Sequence, residues 1–157
     1  YLKREDDLRG YDPRFGWIHA VAHTADLLKY LARNPHVDKR GLWHILQGVA
    51  NKLMLHSDTV FTHSEEERLA WVIIEVIKRD VLPTQVLTMW IDQLAQVRMN
   101  DQESDTGHRT DAHRHYAYQN VKQLLRAVYM RLIYSDDLPG GGVIEAHLHE
   151  KLRLFLK

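Results

Sequence analysis

Apolar residues recur at helical spacing along this chain, whereas no stretch alternates apolar and polar residues for long enough to predict a sheet. The clearest series follows Asp38, where apolar side chains return every three or four residues: Leu42, Ile45, Leu46, Val49 and Leu53. Such a series lies on one face of a helix, and that face must be buried against other helices. We therefore predict an all-α fold with about six helices.

Turn-forming and capping residues set the predicted helix boundaries. The first helix is predicted over about 15–33, because Pro35 disfavours a helical residue directly before it. Asp38 is the expected N-cap of the second helix, and Ser64 with Glu67 forms a capping box for the third. The later helices are expected to begin close to Pro83, Asp111 and Gly140.

The spacing of these helices favours a repeat architecture. The odd-numbered helices begin near Trp17, Ser64 and Asp111, about 47 residues apart, at the upper end of the two-helix repeats of HEAT and armadillo proteins. We therefore predict antiparallel helix pairs stacked as a right-handed HEAT-like or armadillo-like solenoid, forming a single domain over residues 1–157. An irregular helical bundle is the alternative.

The composition limits the classes of partner. The 157-residue chain has 21 Lys and Arg residues against 21 Asp and Glu residues, so it lacks the surplus positive charge typical of proteins that bind nucleic acid or anionic membranes. It has no cysteine, which excludes disulfides, thiolate zinc sites and cysteine nucleophiles. No membrane span and no signal peptide are visible, so we expect a cytoplasmic location.

One polar row in the first predicted helix is the best candidate site. His19, His23, Asp26 and Tyr30 follow one another at spacing i, i+4, i+7 and i+11, which aligns them along one side of the helix. Apolar residues flank this row on both sides, which predicts that the row is buried. Buried imidazole and carboxylate groups require hydrogen-bond partners or a ligand.

Two interpretations of this row stay open. His19 and His23 have the spacing that lets two imidazoles share one metal ion, with Asp26 as a further ligand one turn along the helix. A neighbouring loop could complete such a site through one of three side chains: Glu5, Asp7 or His63. The favoured interpretation is a hydrogen-bonded polar seam or ligand pocket, in which Asp26 accepts from Arg9 or from a backbone amide.

Four further residues are candidates for the same site. Asp7 and Arg9 flank the turn that leads into the first helix, where they can line a pocket mouth or clamp the loop. Arg68 can point towards the same concave surface as His19. Trp17 can stack against a ligand, although most tryptophans in such helices are expected to pack in the core.

Several segments resemble a bacterial family known as domain of unknown function 2785. They are residues 1–11 (YLKREDDLRGY) with 16–28 (GWIHAVAHTADLL), residues 60–70 (VFTHSEEERLA) and residues 120–129 (NVKQLLRAVY). The resemblance covers the chain from residue 1 to about residue 134, and it implies a helical fold without an established activity. Relatives in this family carry further helical sequence ahead of the first segment. We therefore expect N-terminal helices to precede residues 1–7, which read as the last turn of a helix.

Two functions from different classes follow from these observations. The favoured one is a non-catalytic helical-repeat module without a cofactor, which binds a protein, a peptide or a small polar ligand on a concave face lined by the His, Asp and Arg seam. The alternative is a metal-dependent hydrolase or lyase, in which His19, His23 and an acidic third ligand hold a divalent metal such as zinc. The chain lacks the glutamate of the His-Glu-x-x-His zinc pattern and any Gly-x-Ser-x-Gly motif.

Overall fold

The computed structural model describes residues 7, 9–55, 57–97 and 108–156. Six helices occur in this part of the chain: α1 (Ala20–Arg33), α2 (Lys39–Leu55), α3 (Glu65–Lys78), α4 (Thr84–Ala95), α5 (His108–Ile133) and α6 (Gly141–Leu154). Two short antiparallel strands, β1 (Tyr11–Asp12) and β2 (Gly16–Trp17), precede α1. The described residues are mostly helical, which confirms the predicted all-α class.

The odd-numbered helices pack on one another in chain order. Helix α1 contacts α3 most extensively, and α3 in turn contacts α5. Among the even-numbered helices, α4 contacts both α2 and α6. Trp90 of α4 is fully buried against α2, where its indole Nε1 donates a hydrogen bond of 3.0 Å to the carbonyl of Leu46. Helix α3 therefore lies between α1 and α5, which explains why most of its side chains are buried.

The predicted apolar faces form the core. All five members of the α2 series are buried, and so are the apolar residues at helical spacing in α3 and α5: Leu69, Val72, Ile73 and Val76, and Val121, Leu124, Leu125, Val128 and Leu132. Burial of each such side chain contributes about 1.5–3 kcal/mol, so these faces supply the main driving force for packing the helices together.

Helix α1 begins at Ala20, later than the predicted start near residue 15. The residues before it form a hairpin, in which Tyr11 pairs with Trp17 and Gly16 has a positive φ of 77°. The backbone amides of Ile18 and His19 both donate to the carbonyl of Gly10, which holds the hairpin at the helix start. Strands this short contain too few residues to show an alternating pattern in the sequence.

The capping prediction is correct for α2 and wrong for α3. The Asp38 carboxylate accepts a 2.8 Å hydrogen bond from the backbone N–H of Gly41, as an N-cap does. Ser64 instead has left-handed backbone angles and makes no side-chain capping hydrogen bond, because an N-cap needs extended backbone. Helix α5 begins at His108, before the predicted cap at Asp111.

A single side chain fixes the corner between α1 and α2. The Arg79 guanidinium, at the end of α3, donates hydrogen bonds to four backbone carbonyls: those of Ala32, Asn34, Pro35 and Val37. These carbonyls have no helical partner, since they lie at the end of α1 and in the turn that follows. Arg79 therefore donates to carbonyl groups that would otherwise take their hydrogen bonds from water.

Two predictions fall mainly on residues outside the described ranges. They are the helix end at residues 1–7 and an exposed loop at residues 99–110, which the polar sequence there predicts; α5 already includes residues 108–110. Within the ranges that the structure covers, no helix has both the length and the apolar character needed to cross a membrane.

Candidate functional site

A group of aromatic and imidazole rings lies where the hairpin meets the first turns of α1 and α3. We call Tyr11, Trp17, His19, His23 and His63 the ring cluster. The Trp17 indole stacks on the His19 imidazole with a centroid distance of 4.6 Å and an interplanar angle of 2°. The other three rings meet these two edge-on at centroid distances of 5.1–6.2 Å. The ring cluster is thus a continuous set of contacts between four segments of sequence.

Unusual backbone angles aim these side chains at one another. His19 has a φ of 47° directly before α1, and Ser64 has a φ of 64° directly before α3. The left-handed conformation is unfavourable for residues other than glycine, and such residues are concentrated at functional sites. Here it turns the chain so that His19 and His63 face each other across the helix starts.

A buried carboxylate lies beneath the ring cluster. Glu65, the first residue of α3, is 1% exposed, and its Oε2 accepts a 2.8 Å hydrogen bond from the backbone N–H of His63. Its Oε1 lies 3.9 Å from the Nδ1 of His19. Both of these atoms are buried without a hydrogen-bond partner in the described structure. The start of a helix favours a negative charge, which partly offsets the unfavourable burial of this carboxylate.

Sequence reasoning did not identify Glu65. The capping box gives a role to Ser64 and Glu67 alone, and it gives no reason to expect Glu65 in the interior. The left-handed angles at Ser64 instead bring Glu65 inward. No pattern in the sequence predicts left-handed backbone angles at a serine, so the sequence alone does not indicate that Glu65 is buried.

The predicted polar row is not buried, contrary to expectation. His19 and Asp26 are partly exposed, whereas His23 and Tyr30 are exposed to solvent. Helix α1 instead buries a different side against the core: Val21, Ala22, Thr24, Ala25 and Ala32. The apolar residues beyond the row, such as Leu27, are exposed, so flanking hydrophobicity was a misleading sign of burial.

Arg68 reaches the row through an ion pair with Asp26. The Arg68 Nη1 lies 2.6 Å from Oδ2 of Asp26, and the Lys29 Nζ lies 3.2 Å from Oδ1 of the same carboxylate. Burial raises the pKa of Asp26, but the hydrogen bond from Lys29 and the charge of Arg68 outweigh it, so the net pKa is lowered. The Asp26 charge is therefore compensated, and α1 is tied to α3 at this point.

The seam interpretation allowed a hydrogen bond from Arg9 to Asp26, but Arg9 binds other carboxylates. Its guanidinium pairs with Asp7 at 2.7 Å and also with Asp12 on β1. The hydrogen bond from Arg9 lowers the pKa of Asp7. Asp7 and Arg9 therefore brace the loop in front of the hairpin, which is the clamping role that the sequence left open.

The predicted metal ligands do not come together. The described residues contain no group of three or more His, Asp or Glu side chains placed to hold a metal ion. Asp26 is paired with Arg68, and the third ligand proposed at Glu5 lies outside the described ranges. Within the described ranges, therefore, no complete donor set surrounds His19 and His23.

The glutamate after Glu65 provides a test of the local electrostatics. Burial raises the pKa of Glu66, and the charges of Glu65 and Glu67 raise it further. Its Oε2 is buried without a hydrogen-bond partner. Because a raised pKa means that the folded state disfavours the charged form, we expect Glu66→Gln to raise the free energy of unfolding at neutral pH by up to about 1 kcal/mol.

The stability gained by Glu66→Gln should disappear at acidic pH. Below the unfolded pKa of about 4.3, Glu66 is protonated in both states and no longer opposes folding. Thermal melting at neutral pH and near pH 4 measures the difference. Glu67→Gln is the matched control, and it should lower stability slightly because Glu67 accepts from Arg131. A Glu66→Gln protein that is less stable than the parent at neutral pH contradicts the argument.

The sequence was compared with protein families, curated proteins and solved structures. The sequence profile of the family described as "Protein of unknown function (DUF2785)" matches residues 1–130. This range includes the ring cluster, Glu65 and the Arg68–Asp26 pair. No curated protein and no solved structure matches the chain.

Proposed function

This chain belongs to the DUF2785 family, and we propose that it is a non-catalytic helical-repeat module that binds a small polar ligand at the ring cluster. The proposal rests chiefly on one observation: an exposed indole stacks on a histidine whose Nδ1 lies 3.9 Å from a buried carboxylate. A cytoplasmic location is part of the same proposal.

The order of helix contacts supports the repeat architecture. In HEAT and armadillo solenoids, each helix of a pair packs on its equivalent in the next pair. The contacts of α1 with α3 and of α3 with α5 follow this order, and so do those of α2 with α4 and of α4 with α6. We therefore favour the solenoid over an irregular bundle.

The chemistry of the ring cluster favours a planar ligand that donates hydrogen bonds. Trp17 is 62% exposed, although it contacts three other rings, so part of its surface is free to stack against a ligand. The buried negative charge of Glu65 nearby attracts N–H donors and cations. A guanidinium or a nucleobase combines a flat face with such donors.

The experiment follows the indole N–H signal of Trp17 by NMR during titration. Adenosine and argininamide are the planar probes, and ribose is the probe that lacks a planar ring. We expect at least one planar probe to shift the Trp17 signal saturably, with a Kd on the order of 1 mM or tighter, and ribose to leave it unchanged. Trp17→Ala, in which the ring signals of His19 and His23 replace the indole signal as the readout, should weaken binding at least about tenfold, because it removes the stacking surface.

Phe15 offers a matched control. It is an exposed aromatic residue in the turn between β1 and β2, and it makes no ring contact with the ring cluster in the described structure. Phe15→Ala should therefore bind as the parent does. The proposal fails if neither planar probe shifts Trp17, or if Phe15→Ala and Trp17→Ala weaken binding equally.

A further inference from the structure

A second surface lies across the exposed sides of α1, α3 and α5. Helix α3 is buried along most of its length, and its most exposed residues are Arg68, Trp71 and Lys78. Their spacing of three and seven residues places them on one strip of the helix. Because α1 and α5 flank α3, this strip is the middle of a wider surface. We call the surface marked by Tyr30, Trp71 and Tyr134 the three-helix face.

Ion pairs make the first half of this surface continuous. The Arg68–Asp26 pair links α3 to α1 near the ring cluster. Further along the same two helices, the Arg33 Nη2 lies 2.9 Å from Oε1 of Glu75. The hydrogen bond from Arg33 lowers the pKa of Glu75, and Lys78 also lies within 3.5 Å of this carboxylate. The boundary between α1 and α3 is therefore bridged at both ends.

A cleft forms the other half, between α3 and the end of α5. Its volume is about 230 Å³, and Trp71, Met130 and Tyr134 contribute to its lining. The Arg131 guanidinium lies over the Trp71 ring, 4.0 Å from the centroid, and also pairs with Glu67. The cleft thus combines an aromatic wall with a positioned cation, and it is large enough for one aromatic side chain.

The charges held in these pairs are unbalanced. Five cations take part, namely Lys29, Arg33, Arg68, Lys78 and Arg131, against three carboxylates, namely Asp26, Glu67 and Glu75. Among the ion-paired groups of the three-helix face, cations therefore outnumber carboxylates by two (five against three), although the chain as a whole is neutral. Such an excess attracts a partner of negative charge.

We propose that the three-helix face binds an acidic peptide segment of a partner protein, with an aromatic side chain of the segment in the cleft. Tyr30 and Tyr134 are 64% and 80% exposed, and each lies beside or near a cation. Exposed Tyr and Trp combined with Arg are typical of the residues that carry binding energy in interfaces. The cleft between α3 and α5 accommodates one aromatic side chain and is not a long basic groove, which makes an acidic peptide with an aromatic residue a better match than a nucleic-acid backbone.

This proposal goes beyond the small-ligand site and does not depend on it. The probe is a fluorescent peptide of repeated Glu-Glu-Tyr units, and its binding is followed by fluorescence anisotropy. We expect a Kd on the order of 10 μM at low salt, weakening as the ionic strength rises. A peptide of Lys-Lys-Tyr units should bind at least about tenfold more weakly, because it reverses the charge.

Two variants test the cleft, and a third, outside the three-helix face, is the control. Tyr134→Ala removes an aromatic ring that is mostly in solvent, so the fold should be unaffected while peptide binding weakens about fivefold or more. Trp71→Ala should weaken it at least about tenfold, with thermal melting to confirm that the protein is folded. Met89→Ala changes an exposed apolar residue on α4 and should leave binding unchanged.

Three outcomes would overturn the proposal. They are equal binding of the acidic and basic peptides, tighter binding of duplex DNA than of the acidic peptide, and unchanged peptide binding by Tyr134→Ala. Trp17→Ala separates the two proposals, since it should abolish binding of planar probes and leave binding of the acidic peptide intact.

Discussion

Asn120→Ala is expected to lower the free energy of unfolding by about 3–5 kcal/mol, one of the two largest effects of any single substitution considered in this protein. Asn120 of α5 is completely buried. Its Oδ1 accepts a 2.8 Å hydrogen bond from the backbone N–H of Phe61, and its Nδ2 donates to the carbonyl of Thr59 and to the hydroxyl of Ser57. Alanine leaves the Phe61 N–H and the Thr59 carbonyl without this partner, whereas the Ser57 hydroxyl still donates to the carbonyl of Leu53.

The loss matters because these bonds hold the connection between α2 and α3 against α5. The Phe61 side chain, which is also buried, belongs to the same connection. Chemical denaturation followed by circular dichroism measures the change. Ser57→Ala removes only one partner and should lower stability by about 1 kcal/mol. Asn51→Ala, at a half-buried position of α2, is the matched control and should change stability much less. A loss below about 1 kcal/mol for Asn120→Ala contradicts the expectation.

Gly10→Ala is expected to lower the free energy of unfolding by about 2–3 kcal/mol and to disturb the ring cluster. Gly10 is buried between the hairpin and α3. A Cβ atom at this position would lie 2.6 Å from Oε1 of Glu65 and 2.7 Å from Cγ of His63, closer than such atoms can approach. Either the hairpin or these two side chains must move, and the stacked pair above them is then displaced.

Thermal melting and the NMR signals of the histidine rings report these two effects separately. Gly48→Ala is the matched control, because Gly48 lies inside α2 and a Cβ there meets no atom within 4 Å. Alanine in a helix interior is favourable, so Gly48→Ala should raise stability by about 0.5–1 kcal/mol. A Gly10→Ala protein that melts at the same temperature as the parent contradicts the expected clash at Gly10.

The sequence predicted the parts of the fold that depend on the periodicity of apolar residues. The series from Leu42 to Leu53 is buried as expected, and the Asp38 cap forms, because both depend on neighbours within one helix. The hairpin before α1 was not predicted, since its strands have two residues each. Left-handed backbone at His19 and Ser64 was not predicted either, because tertiary contacts impose it against local preference.

The candidate site was predicted only in part for the same reason. The sequence placed Trp17, His19 and His23 near one another, since they are close along the chain. It allowed a role for Arg68 beside the same surface, and Arg68 does pair with Asp26. Glu65 and His63 come from a distant segment, and their position beside His19 depends on how α3 packs beside α1. Helical spacing within one segment carries no information about such contacts.

The hydrogen bonds of Arg79 have a consequence for how the chain acquires its structure. The corner between α1 and α2 is closed by a donor at the far end of α3, so this first helical hairpin lacks its own means of satisfying those carbonyls. A fragment that stops after α2 would have to solvate them instead. Because α1 also packs mainly on α3 and much less on α2, we expect the cooperative unit that contains α1 and α2 to include the third helix.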